Sequence, residues 1–89
     1  MAEPAFVKIS QQMLQAWDWM IKQNQPFTSL QFSEEADLNR STARAYLRGF
    51  CKAGILKESS QYPFNVYDFE PGWEKTPEVE RIRAAYYYS

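Results

Sequence analysis

Apolar residues in the first third of the chain recur every three or four positions, which is the spacing of one face of an α-helix. Ser10 is a favourable N-cap residue, and Ile9 before it can pack on Leu14 as a hydrophobic staple. Pro26 disfavours helical geometry in the residue before it, so the pattern predicts a first helix from Ser10 to about Asn24–Gln25. Its apolar face comprises Met13, Leu14, Ala16, Trp17, Met20 and Ile21, with Trp19 off that face.

A capping box predicts a second, short helix. In the segment Thr28-Ser29-Leu30-Gln31 the hydroxyl of Thr28 and the amide of Gln31 can each satisfy a free backbone N–H at the start of a helix. Phe27 and Phe32 occupy the two positions of a hydrophobic staple around that box. We therefore expect a helix that begins after Thr28 and ends near Ala36.

The third predicted helix runs from Arg40 to Ala53. Asp37 tolerates the left-handed backbone of a turn, Asn39 can cap the helix, and Gly54 is the residue type expected just past a helix C-terminus. The predicted buried stripe is Ala43, Leu47 and Phe50, flanked by Tyr46 and Ala53, and Leu38 is expected to turn inward.

The pattern then changes to that of a β-hairpin. Ile55 and Leu56 open one strand, a turn is predicted over Ser59–Pro63, and residues 64–69 alternate as a second strand. The segment Pro71-Gly72 ends the hairpin. Beyond it, Thr76 as cap, Pro77 at the first helical position and Glu78 in the first turn predict a last helix with an apolar stripe of Val79, Ile82 and Tyr86.

This order of elements predicts a mainly α protein with a small β-hairpin, comprising three helices, a two-stranded hairpin and an extra C-terminal helix. Its 89 residues are enough for one domain. We assign residues 1–72 to that domain and residues 73–89 to a C-terminal helical extension. The apolar runs are far shorter than the ~20 residues that span a bilayer, and the N-terminus lacks the features of a signal peptide. We therefore expect a cytoplasmic protein that does not associate with membranes.

The composition narrows the possible chemistry. The chain has no histidine, the commonest general base and metal ligand near neutral pH. Cys51 is the single cysteine, so neither an internal disulfide nor a thiolate-rich zinc site can form. Cys51 itself fits a half-buried small hydrophobe better than a reactive thiol, and Glu34 with Glu35 fits a solvated helix face. We expect no enzymatic activity, no metal and no cofactor.

Charge is distributed unevenly along the chain, although the net charge is only −1. Residues 40–57 contain five basic residues and no acid, whereas residues 1–39 and 58–89 are both acidic overall. Half of the positive charge therefore lies in one segment of 18 residues that contains the third predicted helix. Clustering of basic residues in one segment is typical of a nucleic-acid-binding surface, and this clustering is more informative than the net charge.

The segment Phe27–Leu56, with the sequence FTSLQFSEEADLNRSTARAYLRGFCKAGIL, resembles the helix-turn-helix of bacterial and phage winged-helix transcription regulators. The resemblance is carried by Asn39-Arg40-Ser41-Thr42, where such a recognition helix begins, and by Leu47-x-x-Phe50-x-x-x-Gly54-Ile55-Leu56, where it closes. It covers about a third of the chain. Two positions depart from the family pattern, since Ser33 replaces a small alanine and Asp37 replaces a turn glycine. Both substitutes are small or turn-tolerant, so the winged helix-turn-helix fold is still expected.

The resemblance implies binding of double-stranded DNA, with the third helix in the major groove and the hairpin on the backbone. On a helical wheel, small residues at Ser41, Ala45 and Gly49 form a strip beside Arg44 and Arg48 that would let the helix approach the groove floor. The residues expected to lie at or near the bases are Arg40, Ser41, Thr42, Arg44, Ala45 and Arg48. Those expected to contact the DNA backbone are Lys52 near the end of the helix, Lys57 in the first strand, and Ser60 and Gln61 in the predicted turn.

Other interpretations of the same residues stay open. The cations at intervals of four could be only a solvated helix face. Acidic flanks and hairpin aromatics could instead indicate a winged-helix protein-interaction module that binds no nucleic acid, with Tyr62, Tyr67 and Trp73 in one exposed patch. An RNA-binding variant is also compatible with the sequence. A homodimer could form through Trp19 or through the stripe of Val79, Ile82 and Tyr86, unless the last helix folds back onto the first.

Overall fold

Four α-helices and a small antiparallel sheet make up the part of the chain that the computed structural model describes, residues 9–61 and 64–88. The helices are α1 (Gln11–Gln23), α2 (Ser29–Glu35), α3 (Arg40–Lys52) and α4 (Pro77–Tyr88). The strands are β1 (Phe27–Thr28), β2 (Leu56–Gln61) and β3 (Phe64–Phe69), and a 3-10 turn covers Trp73–Lys75. None of the helices in these two ranges is long and apolar enough to cross a membrane.

The ends of α1 are those that the sequence predicts. The hydroxyl of Ser10 accepts a hydrogen bond of 3.1 Å from the backbone N–H of Met13. Asn24 ends the helix in the left-handed conformation (φ 48°). One expectation for the apolar face is wrong, because Ile21 is 40% exposed. The apolar face predicted from the sequence is wider than the part of α1 that packs against the rest of the chain, and Ile21 lies outside that part.

Trp19 lies off that face, as predicted, but it is not free of contacts. Its ring packs against those of Phe27 and Phe32, with centroids 5.1 and 5.7 Å apart. Trp19 is therefore half-buried at the edge of the core of the same chain.

The sheet has three strands in the order β1-β3-β2, where the sequence predicts a two-stranded hairpin. The additional strand pairs Phe27 with Tyr67 and Thr28 with Val66. It forms because the chain is already extended at Thr28 (φ −95°, ψ 163°), the residue that caps α2. Because β1 has only two residues, it shows no recognisable alternation of apolar and polar positions, and sequence periodicity could not predict it.

The hairpin turn is also shorter than predicted. Strand β2 continues to Gln61, and Ser59 and Ser60 pair with Val66 and Asn65 instead of lying in a turn over Ser59–Pro63. Serine-rich segments are common in loops, but here pairing with β3 satisfies their backbone groups. Residues 62 and 63, including Tyr62, lie outside the described residues.

Helix α4 packs on the same core as the other helices. Val79 and Ile82 are both fully buried in the cluster that contains Met13, Leu47 and Phe50. Helix α1 contacts α4, so the described part of the predicted stripe folds back within the chain. The side chain of Tyr86 lies outside the described residues.

Candidate nucleic-acid interface

Helix α3 is held at both ends by backbone and side-chain hydrogen bonds. At its start the side-chain oxygen of Asn39 accepts a bond of 2.8 Å from the backbone N–H of Thr42. At its end the N–H of Ile55 donates to the carbonyl of Phe50 at 2.9 Å, and Gly54 adopts φ 82°, the left-handed conformation common in the residue that follows a helix C-cap. The 13 residues between form a rod about 20 Å long.

The two departures from the helix-turn-helix pattern are accommodated by local geometry. Ser33 is buried, and its hydroxyl donates to the carbonyl of Leu30 at 3.0 Å, so its polar group is satisfied inside α2. Asp37 adopts φ 57° in the turn before α3. Leu38 is buried behind that turn, as expected, and anchors the connection between α2 and α3.

One side of α3 is occupied by four basic side chains. Arg40, Arg44, Arg48 and Lys52 follow one another at intervals of four residues, and all four are exposed. Within the described part of the chain, no carboxylate lies within 4.0 Å of any of these four cationic groups. Like charges at this spacing repel one another on an isolated helix. The row, which we call the basic face, therefore gains by binding an anion.

The small residues on α3 divide into two groups. Ser41 and Ala45 are exposed next to the basic face, and Thr42 is half-buried at the helix start. Gly49, however, is buried and does not extend the predicted strip of exposed small residues. A glycine projects no side chain, so the side chains around it can cover its backbone.

A cleft of about 670 Å³ separates the basic face from the sheet. Its walls include Arg44 and Arg48 from α3 and Glu58, Asn65 and Tyr67 from the hairpin. Glu58 and Tyr67 lie directly opposite each other on neighbouring strands, so their side chains share one face of the sheet. The hydroxyl of Tyr67 donates a hydrogen bond to the Glu58 carboxylate. This bond keeps a negative charge in the same cleft as Arg44 and Arg48.

Burial and the Glu58 carboxylate together raise the pKa of two neighbouring groups, the Tyr67 hydroxyl and the Cys51 thiol. The pKa of Tyr67 is raised, first by burial, then by its hydrogen bond to Glu58 and the charge of that residue, against a lowering effect of Arg44. Burial also raises the pKa of the Cys51 thiol, as do the charges of Glu58 and Glu70. Cys51 is therefore held as the neutral thiol, which is the poorly reactive form. Within the described residues, no group of acidic and cysteine side chains is arranged to hold a metal ion.

The predicted wing residues are distributed over both faces of the sheet. Ser60 lies opposite Asn65, with 3.4 Å between the Oγ of Ser60 and the Oδ1 of Asn65, and Asn65 lines the cleft. Lys57 lies opposite Asp68 on the other face, away from Glu58 and Tyr67. Gln61 is the last residue of β2, and its side chain lies outside the described residues.

The sequence interpretation missed Glu58. The sequence indicates its position only through the alternation of a strand. Glu58 stands two residues after the buried Leu56, and residues two apart share one face of an extended strand. The predicted turn over Ser59–Pro63 concealed that signal, since it left the strand before Glu58 too short to show alternation.

No protein-family model matches the chain, and no curated protein is significantly similar to it. The function is therefore inferred from the basic face, the cleft and the surrounding charges.

Proposed function

We propose that the protein is a winged helix-turn-helix DNA-binding protein, and more particularly a small transcription regulator that inserts α3 into the major groove of duplex DNA. The observation that carries the proposal is the basic face, four exposed cations on one side of a helix that is capped at both ends. A helix with its side chains is about 10–12 Å wide, and the major groove of B-DNA is about 12 Å wide.

The exposed residues beside the basic face suit a close approach to the bases. Ser41 and Ala45 do not obstruct the groove floor, while Arg44 and Arg48 can reach guanine edges or phosphates. Arg40 and Thr42 stand at the helix start, the end that a helix-turn-helix directs at base edges. Lys52 lies at the opposite end of the basic face. We assign it to the DNA backbone.

Glu58 limits where phosphates can be bound. A phosphate inside the cleft would meet the carboxylate that Tyr67 holds there, so we place phosphate contacts on the exposed helix surface rather than in the cleft. A carboxylate at this point can instead accept a hydrogen bond from the amino group of cytosine. Lys57 lies on the other face of the sheet, so it can contact only a DNA strand that passes behind the hairpin.

The rival hypothesis, a protein-interaction module without nucleic-acid binding, rested on the acidic flanks and on one exposed patch of Tyr62, Tyr67 and Trp73. Tyr67 is only 8% exposed, and the ring of Trp73 packs on Phe69 with centroids 4.5 Å apart. Tyr67 and Trp73 also line two different concave surfaces, so they do not form the single exposed patch that this hypothesis requires. The basic face, by contrast, is open, which favours the DNA-binding proposal.

The proposal is tested by fluorescence anisotropy with labelled random-sequence duplex DNA at low salt. We expect binding by the native chain, and a loss of about tenfold for each of Arg44→Gln and Arg48→Gln, the order of magnitude of one phosphate contact at low ionic strength. Arg83→Gln is the matched control, because Arg83 is an exposed arginine on α4, outside the basic face.

Circular dichroism establishes that each variant keeps its helices. Unchanged affinity in both α3 variants would overturn the proposal, as would no binding to duplex DNA at the lowest salt. Tighter binding to duplex RNA of the same sequence would replace it with the RNA-binding variant.

A further inference from the structure

A second concave surface lies away from the basic face, between the C-terminal half of α1, the end of β3 and the 3-10 turn. Its volume is about 570 Å³. None of the residues that line it also lines the cleft beside the basic face. We call it the aromatic groove, after the three side chains Trp17, Phe69 and Trp73 in its wall.

These three rings form one continuous apolar surface. The centroids of Trp17 and Trp73 are 5.7 Å apart, those of Phe69 and Trp73 4.5 Å, and those of Trp17 and Phe69 6.4 Å. Trp17 is buried, whereas Phe69 and Trp73 are only half-buried and present part of their surface to the groove. The groove thus offers an aromatic surface that the rest of the described chain does not cover.

Ile21 extends this apolar surface towards α1. It lines the groove and is 40% exposed. In the part of the chain that the structure describes, no other large hydrophobic side chain is exposed to this extent. A contiguous apolar surface that includes aromatic rings is typical of a site of protein contact.

Acidic side chains border the groove. Asp18, Asp68 and Glu74 line it, against one basic residue, Arg83. Asp18 is paired with Lys22 at 2.9 Å. The carboxylates of Asp68 and Glu74 have no cationic group within 4.0 Å in the described ranges 9–61 and 64–88, although Lys57 lies opposite Asp68 across the strands.

We infer that the aromatic groove binds a basic segment of a partner protein, in which an apolar residue is flanked by arginine or lysine. An arginine or lysine side chain can lay its aliphatic stem along the aromatic surface and place its charge at Asp68 and Glu74. Trp73 is half-buried, and an indole ring attracts a cation placed over its face. The flanking apolar residue would cover Ile21.

Charge decides between this occupant and the alternatives. The excess of carboxylates at the groove repels the phosphates of a nucleic acid or of a membrane surface. An uncharged peptide would leave Asp68 and Glu74 without a partner while it restricted their access to water. The inference does not depend on DNA binding, because the basic face contributes no residue to the groove.

The test is an NMR titration of the isotope-labelled full chain with two blocked peptides, Gly-Arg-Leu-Arg-Gly and Gly-Glu-Leu-Glu-Gly. We expect the arginine peptide to shift the indole N–H signal of Trp73 in a saturable way. The signal of Trp19 serves as an internal control, because Trp19 packs on Phe27 and Phe32 and does not line the groove. The glutamate peptide should leave both signals in place.

Variants at the rim make the result specific. Asp68→Asn keeps the Oδ1 atom that accepts from the backbone N–H of Phe69 at 2.9 Å, and it removes only the charge. Together with Glu74→Gln it should weaken binding of the arginine peptide about two- to thirtyfold, the range for losing two surface charge contacts. Glu34→Gln, an exposed acid on α2, is the matched control and should have no effect.

Three results would overturn the inference. The first is an equal response to both peptides, and the second is unchanged affinity in the Asp68→Asn/Glu74→Gln variant. The third is a shift of the Trp73 signal with protein concentration alone, together with sedimentation of a larger species, since the groove would then be occupied by a second copy of the chain.

Discussion

Ile82 offers a direct measure of how much α4 contributes to the stability of the fold. Its side chain is fully buried, in the cluster that includes Met13 and Phe50. Ile82→Ala removes three carbon atoms and leaves a cavity, which costs about 2–5 kcal/mol. A chain of 89 residues has a total unfolding free energy of roughly 4–13 kcal/mol. We therefore expect the variant to lose a large part of its stability and to lower Tm by at least roughly 8 °C.

Ile21→Ala is the matched control. It makes the same substitution inside a helix, so any gain in helix propensity from alanine is the same in both variants. Ile21 is 40% exposed, and its replacement leaves an open surface rather than a cavity. We expect it to cost less than about 1 kcal/mol.

The assay is urea unfolding followed by circular dichroism for the helices and by tryptophan fluorescence for the core. The two probes should give coincident transitions, because α4 and the tryptophans belong to one core. Equal midpoints for Ile82→Ala and Ile21→Ala would refute the reasoning. A separate early transition would do so as well, since residues 73–89 would then behave as an independent extension.

Further predictions concern the basic face, Tyr67 and Gly54. Four phosphate contacts would give DNA binding a slope of log K against log salt of about −3.6, and Arg48→Gln should reduce its magnitude by about 0.9. The pKa of Tyr67 in the folded chain lies above its ordinary value of 10.0. The stability that the neutral Tyr67 hydroxyl contributes is therefore fully present below pH 10.0. This stabilisation should be lost as the pH rises through the folded-state pKa of Tyr67. The measurement is the free energy of unfolding in a series of alkaline buffers. Gly54→Ala should cost about 1–2 kcal/mol in urea unfolding, because Gly54 adopts φ 82°.

Each of these predictions has a control or a result that would contradict it. Lys75→Gln, in the 3-10 turn, should leave the salt slope unchanged, and an unchanged slope in Arg48→Gln would contradict the first prediction. Glu58→Gln should lower the pKa of Tyr67 in a spectrophotometric titration, since it removes the charge that opposes the phenolate. A cost near zero for Gly54→Ala would disprove the conformational reasoning, because an added Cβ meets only an ordinary contact of 3.7 Å with Thr76.

The ends of the helices could be predicted because the interactions that fix them are local. The hydroxyl of Ser10, the capping box of Thr28 and Gln31, and the cap at Asn39 each act within three residues along the chain. The same holds for the turn at Gly54. The basic face also followed from the sequence, since a spacing of four residues in a helix places side chains on one side.

The sequence by itself thus determined the helices, the hairpin and the row of cations on α3. Tertiary structure alone decided the third strand, where Phe27 pairs with Tyr67 forty positions later, and the placement of Glu58 in one cleft with Arg44 and Arg48. It also decided that Ile21 is exposed while Ile82, an equally apolar residue on another helix, is buried. The physical reason is the same in each case: pairing and burial depend on which distant segment lies opposite, and a residue's own neighbours along the chain do not specify that segment.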